Sequence, residues 1–169
     1  MNEGLDFSED DVRDEMLALR EACRSVVIAT VSAEGEPDAS YAPYVSGTGG
    51  DFWIFVSRLA RHTVNLEETG RASLLFLESE AGARQIFGRR RLTYACQAQL
   101  VSRAAREWDQ MLDALASRFG PVVGVLRQLS DFELIRLHPD EGSYVRGFGQ
   151  AFRLCGEGLA DIVPLRPDE

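Results

Sequence analysis

The chain has 169 residues, of which 45% are hydrophobic and 27% charged, a composition typical of a single globular domain. Its formal net charge of −9 argues against nonspecific binding to nucleic acids or anionic membranes, and no apolar run approaches the ~20 residues of a membrane span. The acidic amino terminus lacks the basic and apolar regions of a secretory signal, so we expect a cytoplasmic protein.

The first third of the sequence predicts one helix and three strands. The helix begins at Ser8, whose hydroxyl can cap free backbone amides, and it places Val12, Met16 and Leu19 on one apolar face. Next comes a β-branched run that predicts a buried strand. Glycine-containing turns separate the three predicted strands, at residues 25–31, 39–45 and 51–56.

The remainder alternates helices with extended segments. Residues 57–70 predict a short helix that ends at Gly70, and residues 104–119 predict a longer amphipathic helix. Further strands are predicted at residues 72–77, 91–101 and 132–137, with at least one more extended segment within residues 142–152. Short strands joined by tight turns, with helices inserted between them, predict an α+β barrel.

The positive charge is distributed unevenly along the chain. The chain contains no lysine, and acidic residues crowd both termini, whereas Arg84, Arg89, Arg90 and Arg91 lie close together near its middle. A local basic segment in an acidic protein predicts a site for a small anionic ligand.

Residues 55–66, with the sequence FVSRLARHTVNL, resemble the strand-to-helix segment of the pyridoxamine-phosphate-oxidase-like split barrels. In that family a Ser-Arg pair, here Ser57 and Arg58, contacts the phosphate of the flavin. A hydroxyl and a guanidinium beside a helix start suit a phosphate group. The resemblance therefore implies FMN as one cofactor, although Leu59 stands where the oxidases place a basic residue.

Residues 83–93, ARQIFGRRRLT, resemble the A-R-x-R-L-T stretch of heme-utilisation (HugZ/HutZ-type) proteins, and residues 130–137 and 147–151 also fit that branch. The resemblance implies a six-to-seven-stranded antiparallel split β-barrel with flanking helices. It also implies a homodimer that binds heme in a cleft between protomers. We expect a single domain over residues 1–169, with a core at about 20–153, an acidic N-terminal helix and a flexible C-terminal tail.

The same resemblance designates cofactor-binding candidates. Ser57 and Arg58 form the expected phosphate contact, and Arg91 and Thr93 occupy the matched R-L-T stretch. His62 lies in the family setting LARHTVNL, so it is either near the ligand or a structural helix histidine. A further matched position, Asp131, hydrogen-bonds the iron ligand in the family, and here it is expected to cap a strand instead.

The iron ligand of the family is a histidine in a C-terminal extension, and the segment after Phe152 contains no histidine. The residues left as metal-ligand candidates are His62, His138 and Cys155. Of these, His138 precedes Pro139 and is expected in a surface turn. Cys155 lies in the glycine-rich tail, where its thiolate could ligate heme iron.

Three functions remain open from the sequence. The leading one is heme binding at a dimer interface, with or without oxidative degradation of the heme to release iron. The second is an FMN-dependent oxidoreductase related to pyridoxamine-phosphate oxidase, and the third is a non-catalytic dimeric binding protein. Hydrolase chemistry has no support, because the available hydroxyls and thiols lack a histidine–carboxylate partner pattern.

Overall fold

A computed structural model of the protein describes residues 8–166. This part of the chain contains four α-helices, α1 (Glu9–Ala22), α2 (Arg61–Thr69), α3 (Arg106–Phe119) and α4 (Val122–Leu126). No helix within residues 8–166 combines the length and the apolar character that a membrane span requires.

The same residues form eight β-strands: β1 (Ser25–Val31), β2 (Pro37–Ser46), β3 (Phe52–Ser57), β4 (Arg71–Leu77), β5 (Arg91–Leu100), β6 (Phe132–Gly147), β7 (Gln150–Cys155) and β8 (Asp161–Pro164). Their hydrogen-bonded order is β3-β2-β1-β4-β5-β6-β7-β8, and β3 also pairs with β6. That pairing closes six strands into an antiparallel barrel, to which β7 and β8 are added. The predicted α+β antiparallel split barrel with flanking helices is confirmed.

Two compact units can be distinguished in the described chain. The first contains the described residues up to Cys23, Leu75–Thr93 and those from Glu141 onward. The second contains Arg24–Leu74 and Tyr94–Asp140. Strands β4, β5 and β6 each contribute residues to both units, and the single domain expected over residues 1–169 stays a prediction.

The predicted N-terminal helix forms as α1. The Ser8 hydroxyl accepts a hydrogen bond from the backbone N–H of Asp11 at 3.4 Å, as an N-cap residue does. Val12, Met16 and Leu19 are buried along one face, in agreement with their helical spacing.

The C-terminal region departs from expectation. Strand β6 continues through Pro139 instead of ending before it. Strand β7 begins within the extended segment predicted inside residues 142–152, and the tail expected to be flexible after residue 153 contains the end of β7 and all of β8. Phe152 pairs with Pro164 in this last ladder. The tail is therefore part of the sheet as far as Pro164, and residues 167–169 lie outside the described residues.

The core of the second unit is built on the apolar face of α3. Trp108 is 4% exposed, and its ring meets that of Phe55 edge to face at 5.9 Å between centroids. The buried members of this cluster are Val45, Trp53, Phe55, Trp108, Met111, Leu112, Leu115, Val123 and Leu134. Because the cluster includes residues of both β3 and β6, it fixes the strand pair on which the polar sites lie.

The β3–β6 pair sets the spacing of two polar clusters. Its register runs from Phe52 opposite Leu137 to Ser57 opposite Phe132. Five residue steps of about 3.4 Å separate these ends by roughly 17 Å. A cluster of charged and polar side chains lies at each end.

Candidate functional site

The first cluster lies where β3 ends at Ser57. The Ser57 hydroxyl donates a hydrogen bond to Oδ2 of Asp131 at 2.5 Å and accepts one from the backbone N–H of Leu59 at 3.1 Å. The backbone N–H of Arg58 donates to the carbonyl of Asp131 at 2.8 Å. Asp131 thus holds the start of β6 against the end of β3 and accepts the hydrogen bond that the Ser57 hydroxyl can donate.

Arg58 is engaged by two carboxylates. Its Nε donates to Glu67 Oε1 at 2.8 Å, and its Nη2 lies 3.4 Å from Oε1 of Glu133. The hydrogen bond to Glu67, with the charge of Glu133, raises the pKa of Arg58 above its ordinary value. The guanidinium is half exposed and permanently charged, but its charge is balanced locally.

This arrangement does not fit an FMN phosphate. To bind a phosphate, the hydroxyl has to be free to donate a hydrogen bond, and the charge of the guanidinium must not already be neutralised by carboxylates. Here the Ser57 hydroxyl already donates its hydrogen bond to Asp131, and Arg58 donates to Glu67 and lies 3.4 Å from Glu133. A phosphate dianion at this position would have to displace or approach three carboxylates.

His62 lies on α2 close to this cluster in sequence. Its side chain is buried, with 7% exposure, and Nε2 has no hydrogen-bond partner among the described residues. Burial lowers the pKa of His62, and the charge of Asp38 opposes that change without reversing it. The imidazole is therefore neutral near pH 7 and retains an unused polar atom.

The end of α2 follows the sequence prediction. Gly70 adopts the left-handed conformation with φ of 65°, and its N–H donates to the carbonyl of Leu66. Glycine adopts this conformation without the steric cost that a side chain brings, which explains why the helix stops there.

The arginine segment belongs to the first unit, whereas Ser57 and Arg58 belong to the second. Arg90 pairs with Glu78 at 2.7 Å, and Arg89 donates to the carbonyl of Glu78 and to the carboxylate of Glu80. Hydrogen bonds from Arg90 lower the pKa of Glu78.

The last arginine of this run, Arg91, differs from its neighbours. It is exposed and has no carboxylate partner among the described residues; its Nη1 lies 3.5 Å from a backbone carbonyl. Thr93 lies two residues after Arg91 in β5, on the same side of the strand, and is half-buried. Of the three consecutive arginines, Arg91 is the one available for an anionic ligand.

A second polar cluster lies at the opposite end of β3 and β6. Nδ1 of His138 is 2.6 Å from Oδ1 of Asp51, and the guanidinium of Arg136 reaches Oδ2 of Asp51 at 2.6 Å. Asp51 is 4% exposed, whereas the side chain of His138 is 54% exposed. His138 was expected in a surface turn, but it lies within β6 because the strand continues past Pro139.

The cysteines do not form a metal centre. Cys96 is buried, and burial raises the pKa of its thiol to about 12. Cys155 is the last residue of β7 and is half-buried, and Cys23 is half-buried as well. Residues 8–166 contain no group of three or more histidine, cysteine, aspartate or glutamate side chains that could hold a metal ion.

The second unit contains surface cavities of a size that suits a cofactor, and two of them share residues of β5. The smaller has a volume of about 430 Å³ and is lined by Gln97, Ala98, Gln99, Arg136 and His138. The larger, of about 960 Å³, shares Gln97 and Ala98 with it and extends along β1, β4 and β5. Both volumes fall in the range of about 300–1,000 Å³ that is usual for cofactor sites.

The structure thus brings some sequence candidates together and separates others. Ser57 and Arg58 share one cluster, and His138 belongs to the second cluster at the far end of the strand pair. Sequence reasoning did not identify Glu67, Glu133 or Asp51 as the partners of these residues. In the sequence, Asp51 is distinguished by being an acidic residue directly before the buried apolar run of β3.

Comparisons with known proteins agree with this fold. The family model described as "Pyridoxamine 5'-phosphate oxidase" matches residues 12–146. Heme oxygenase HutZ of Vibrio cholerae is 40% identical over 151 residues, which cover 89% of this chain and 85% of that protein. Among solved structures, that of HutZ, described as the heme storage protein from Vibrio cholerae, aligns with a TM-score of 0.74 and 36% identity over 79% of this chain and 93% of that one. Campylobacter jejuni ChuZ aligns with a TM-score of 0.85 and 28% identity over 97% of this chain and 68% of that one.

Proposed function

Since this chain belongs to the pyridoxamine 5′-phosphate oxidase family and, within it, to the heme-utilisation branch, we propose that it binds heme. The relative from Vibrio cholerae is named a heme oxygenase and its structure a heme storage protein, and the similarity to both extends over most of the chain. The structural observation that supports heme over FMN is that carboxylates already contact Ser57 and Arg58. The flavin alternative requires these two residues to be available for its phosphate group.

The residues proposed to contact heme propionates are Arg91 and Thr93. A propionate is an anion that a guanidinium binds well, and Arg91 has no competing carboxylate among the described residues. His62 offers a neutral imidazole with an unused Nε2, although it is buried in this structure. When bound, heme iron supplies the redox centre for oxidative chemistry.

The test is an absorption titration of the purified full chain with hemin, run beside a titration with FMN. We expect saturable binding of one heme per protomer with a sharp Soret band, and no saturable binding of FMN. Saturable FMN binding together with only diffuse adsorption of hemin would overturn the proposal.

A variant pair tests the propionate contact. Loss of one charge-assisted hydrogen bond corresponds to about 10- to 100-fold weaker binding, which is the change expected for Arg91→Ala. The control is Arg106→Ala, which removes another exposed arginine, from the start of α3. Equal hemin affinity in both variants would remove Arg91 from the site.

Degradation of the heme is the finer form of this proposal, favoured by the name of the relative from Vibrio cholerae. Loss of the Soret band with release of iron, on adding a reductant to the aerobic complex, would support it. A complex that keeps its Soret band and its iron under the same conditions would identify a heme-storing protein instead.

The flavin-dependent oxidoreductase is the second candidate, and it rests on the description of the family alone. The non-catalytic binding protein is the third, and it predicts an intact assembly that takes up neither hemin nor FMN. The parallel titration distinguishes all three.

We also propose that the protein is a cytoplasmic homodimer with its ligand cleft between protomers. The outward face of β1 and β2 carries an exposed apolar pair, Val27 and Tyr41, which are opposite each other in register. Exposed apolar residues of this kind are common at subunit interfaces. Light scattering of the purified chain should give twice the monomer mass, and Tyr41→Glu should reduce it.

A further inference from the structure

The first unit carries three large apolar side chains on its surface. Ile86, Phe87 and Phe148 are 52%, 81% and 69% exposed, and all three belong to the same unit as Arg91 and Thr93. Single exposed apolar residues are common on proteins, whereas several in one place mark a binding surface. We call Ile86, Phe87 and Phe148 the apolar patch.

Two segments that are distant in sequence meet at this patch. Gly88 lies against Phe148, because a methyl group at Gly88 would be only 3.2 Å from Cδ2 of the Phe148 ring and 3.6 Å from its backbone nitrogen. The absence of a side chain at Gly88 allows this close approach. Since Ile86 and Phe87 directly precede Gly88, the exposed side chains belong to adjacent segments of one surface.

The turn that carries Phe87 is held by its own hydrogen bonds. Residues Ile86–Gly88 form one 3₁₀ turn, and the side-chain oxygen of Gln85 accepts from the backbone N–H of Phe87 at 3.3 Å. The N–H of Gly88 donates to the carbonyl of Gln85 at 3.1 Å. These bonds involve the backbone of the turn and not the Phe87 ring, so the turn does not depend on that ring.

Phe148 has no part in forming the turn on which it lies. Gly147 pairs with Gln150, which leaves Phe148 and Gly149 as the two-residue connection between β6 and β7. Gly149 has a φ of 67° and so supplies the left-handed conformation that the reversal needs. Connections of this kind favour small and polar residues, so an exposed phenylalanine here indicates a role in binding rather than in folding.

Two arginines flank the turn of the apolar patch in sequence. Arg84 lies two residues before Ile86, and Arg91 lies three residues after Gly88. Both are exposed, and neither has a carboxylate partner among residues 8–166. Three residues of extended chain span about 11 Å at most, so Arg91 lies close to the patch in space as well as in sequence.

We propose that Phe87 and Phe148 contact the porphyrin ring of heme while Arg84 and Arg91 pair with its two propionates; this inference rests on the proposed heme binding. Heme has a flat apolar macrocycle that carries both carboxylates at one edge. Aromatic rings pack well against a planar π system, and a guanidinium forms charge-assisted hydrogen bonds with a carboxylate. The apolar patch and its two cations match this division into an apolar and an anionic part.

The charges favour an anionic ligand over a second copy of this chain. In a symmetric dimer formed through the apolar patch, the same surface of both protomers would meet. Arg84 and Arg91 would then bring four guanidinium groups to the interface, none of which has a carboxylate partner within the described part of its own chain. Two propionates balance the charge of one such pair, and the porphyrin covers the apolar side chains beside it.

The experiment measures binding of hemin and of iron-free protoporphyrin IX by the full wild-type chain and by Phe87→Ala and Phe148→Ala. A contact with the macrocycle does not depend on iron, so each substitution should weaken the binding of both ligands by about 10- to 100-fold. Phe148→Tyr keeps the ring and should bind as the wild type does. Val125→Ala is the matched control, because Val125 is 65% exposed and lies in the second unit, and its affinities should not change.

The propionate contact of Arg84 is tested in the same titrations. Hemin and protoporphyrin IX carry the same two propionates, so Arg84→Ala should weaken both by about 10-fold or more. All the substituted side chains are exposed, so we expect the fold and the mass of the assembly to stay as in wild type. Circular dichroism and light scattering of each variant check this. Unchanged affinities in Arg84→Ala would remove Arg84 from the site.

The outcomes separate this inference from the proposed function. A wild-type chain that binds hemin, with unchanged affinity in both phenylalanine variants, would overturn the porphyrin contact and leave heme binding intact. The contact would also be overturned if only hemin binding were weakened, or if the wild type bound hemin but not protoporphyrin IX, since the effect would then act through the iron. A smaller assembly with unchanged affinities would identify the patch as a subunit interface and overturn the contact as well. A wild-type chain that binds neither ligand would overturn both the inference and the proposed function.

Discussion

Replacing His62 by leucine should make the protein more stable and flatten the acid side of its stability profile. The ring is buried, yet its Nε2 has no partner among the described residues. A buried polar group without a partner costs about 1–3 kcal/mol, whereas an apolar side chain of similar size avoids that cost. For His62→Leu we therefore expect a gain of about 1 kcal/mol in the free energy of unfolding at pH 7.

The pH dependence follows from the direction of the pKa change. Burial lowers the pKa of His62 below its ordinary value of 6.5, so the unfolded chain binds the proton more readily than the folded one. The wild-type protein therefore has its full stability above about pH 6.5 and loses part of it as the pH falls from there to the folded pKa. One proton limits the slope to about 1.4 kcal/mol per pH unit.

The measurement is urea denaturation of wild type, His62→Leu and His138→Gln between pH 5 and pH 8 at constant ionic strength. We expect the slope between pH 5 and pH 6.5 to decrease in His62→Leu and to persist in His138→Gln, which removes the other histidine. Our reasoning would be refuted if His62→Leu kept the wild-type slope or unfolded more easily than wild type at pH 7.

Three further predictions concern the core, one turn and one thiol. Trp108→Ala should lower the free energy of unfolding by about 3–5 kcal/mol in urea, since the ring is 4% exposed and packs against Phe55; a loss below 1 kcal/mol would contradict this packing. Gly70→Ala should cost about 1–2 kcal/mol because φ there is 65°, whereas Gly124→Ala, inside α4 with nothing within 4 Å of the added methyl, should stabilise by about 0.5–1 kcal/mol. The thiol of Cys96, with its pKa raised to about 12, should resist iodoacetamide at pH 8 in the folded chain and react in urea, as mass spectrometry of the alkylated peptide would show.

Local elements of this fold follow from the sequence because they depend on neighbouring residues. The Ser8 cap, the spacing of Val12, Met16 and Leu19, and the Gly70 stop are all decided within one or two helical turns. These predictions are confirmed, as is the barrel class that alternating strands and helices indicate.

Contacts between residues far apart in the chain could not be predicted from the sequence in this way. Asp51 and His138 are 87 positions apart, and only the register of β3 with β6 brings them to 2.6 Å. The presence of Pro139 favoured a turn there, but tertiary pairing carried β6 past it. The tail likewise had no alternating pattern strong enough to predict β8, which is set by its pairing with β7.

The carboxylates around Arg58 bear on how a fold of this kind changes its ligand during evolution. Glu67 comes from α2 and Glu133 from β6, so two separate elements of the fold bring carboxylates to Arg58. Two acidic side chains are thus enough to cancel a phosphate-binding charge while the barrel stays the same. A change of ligand therefore needs no change of fold, because a few acidic side chains suffice, and a serine and an arginine of the kind that binds phosphate remain in a sequence whose phosphate site is closed.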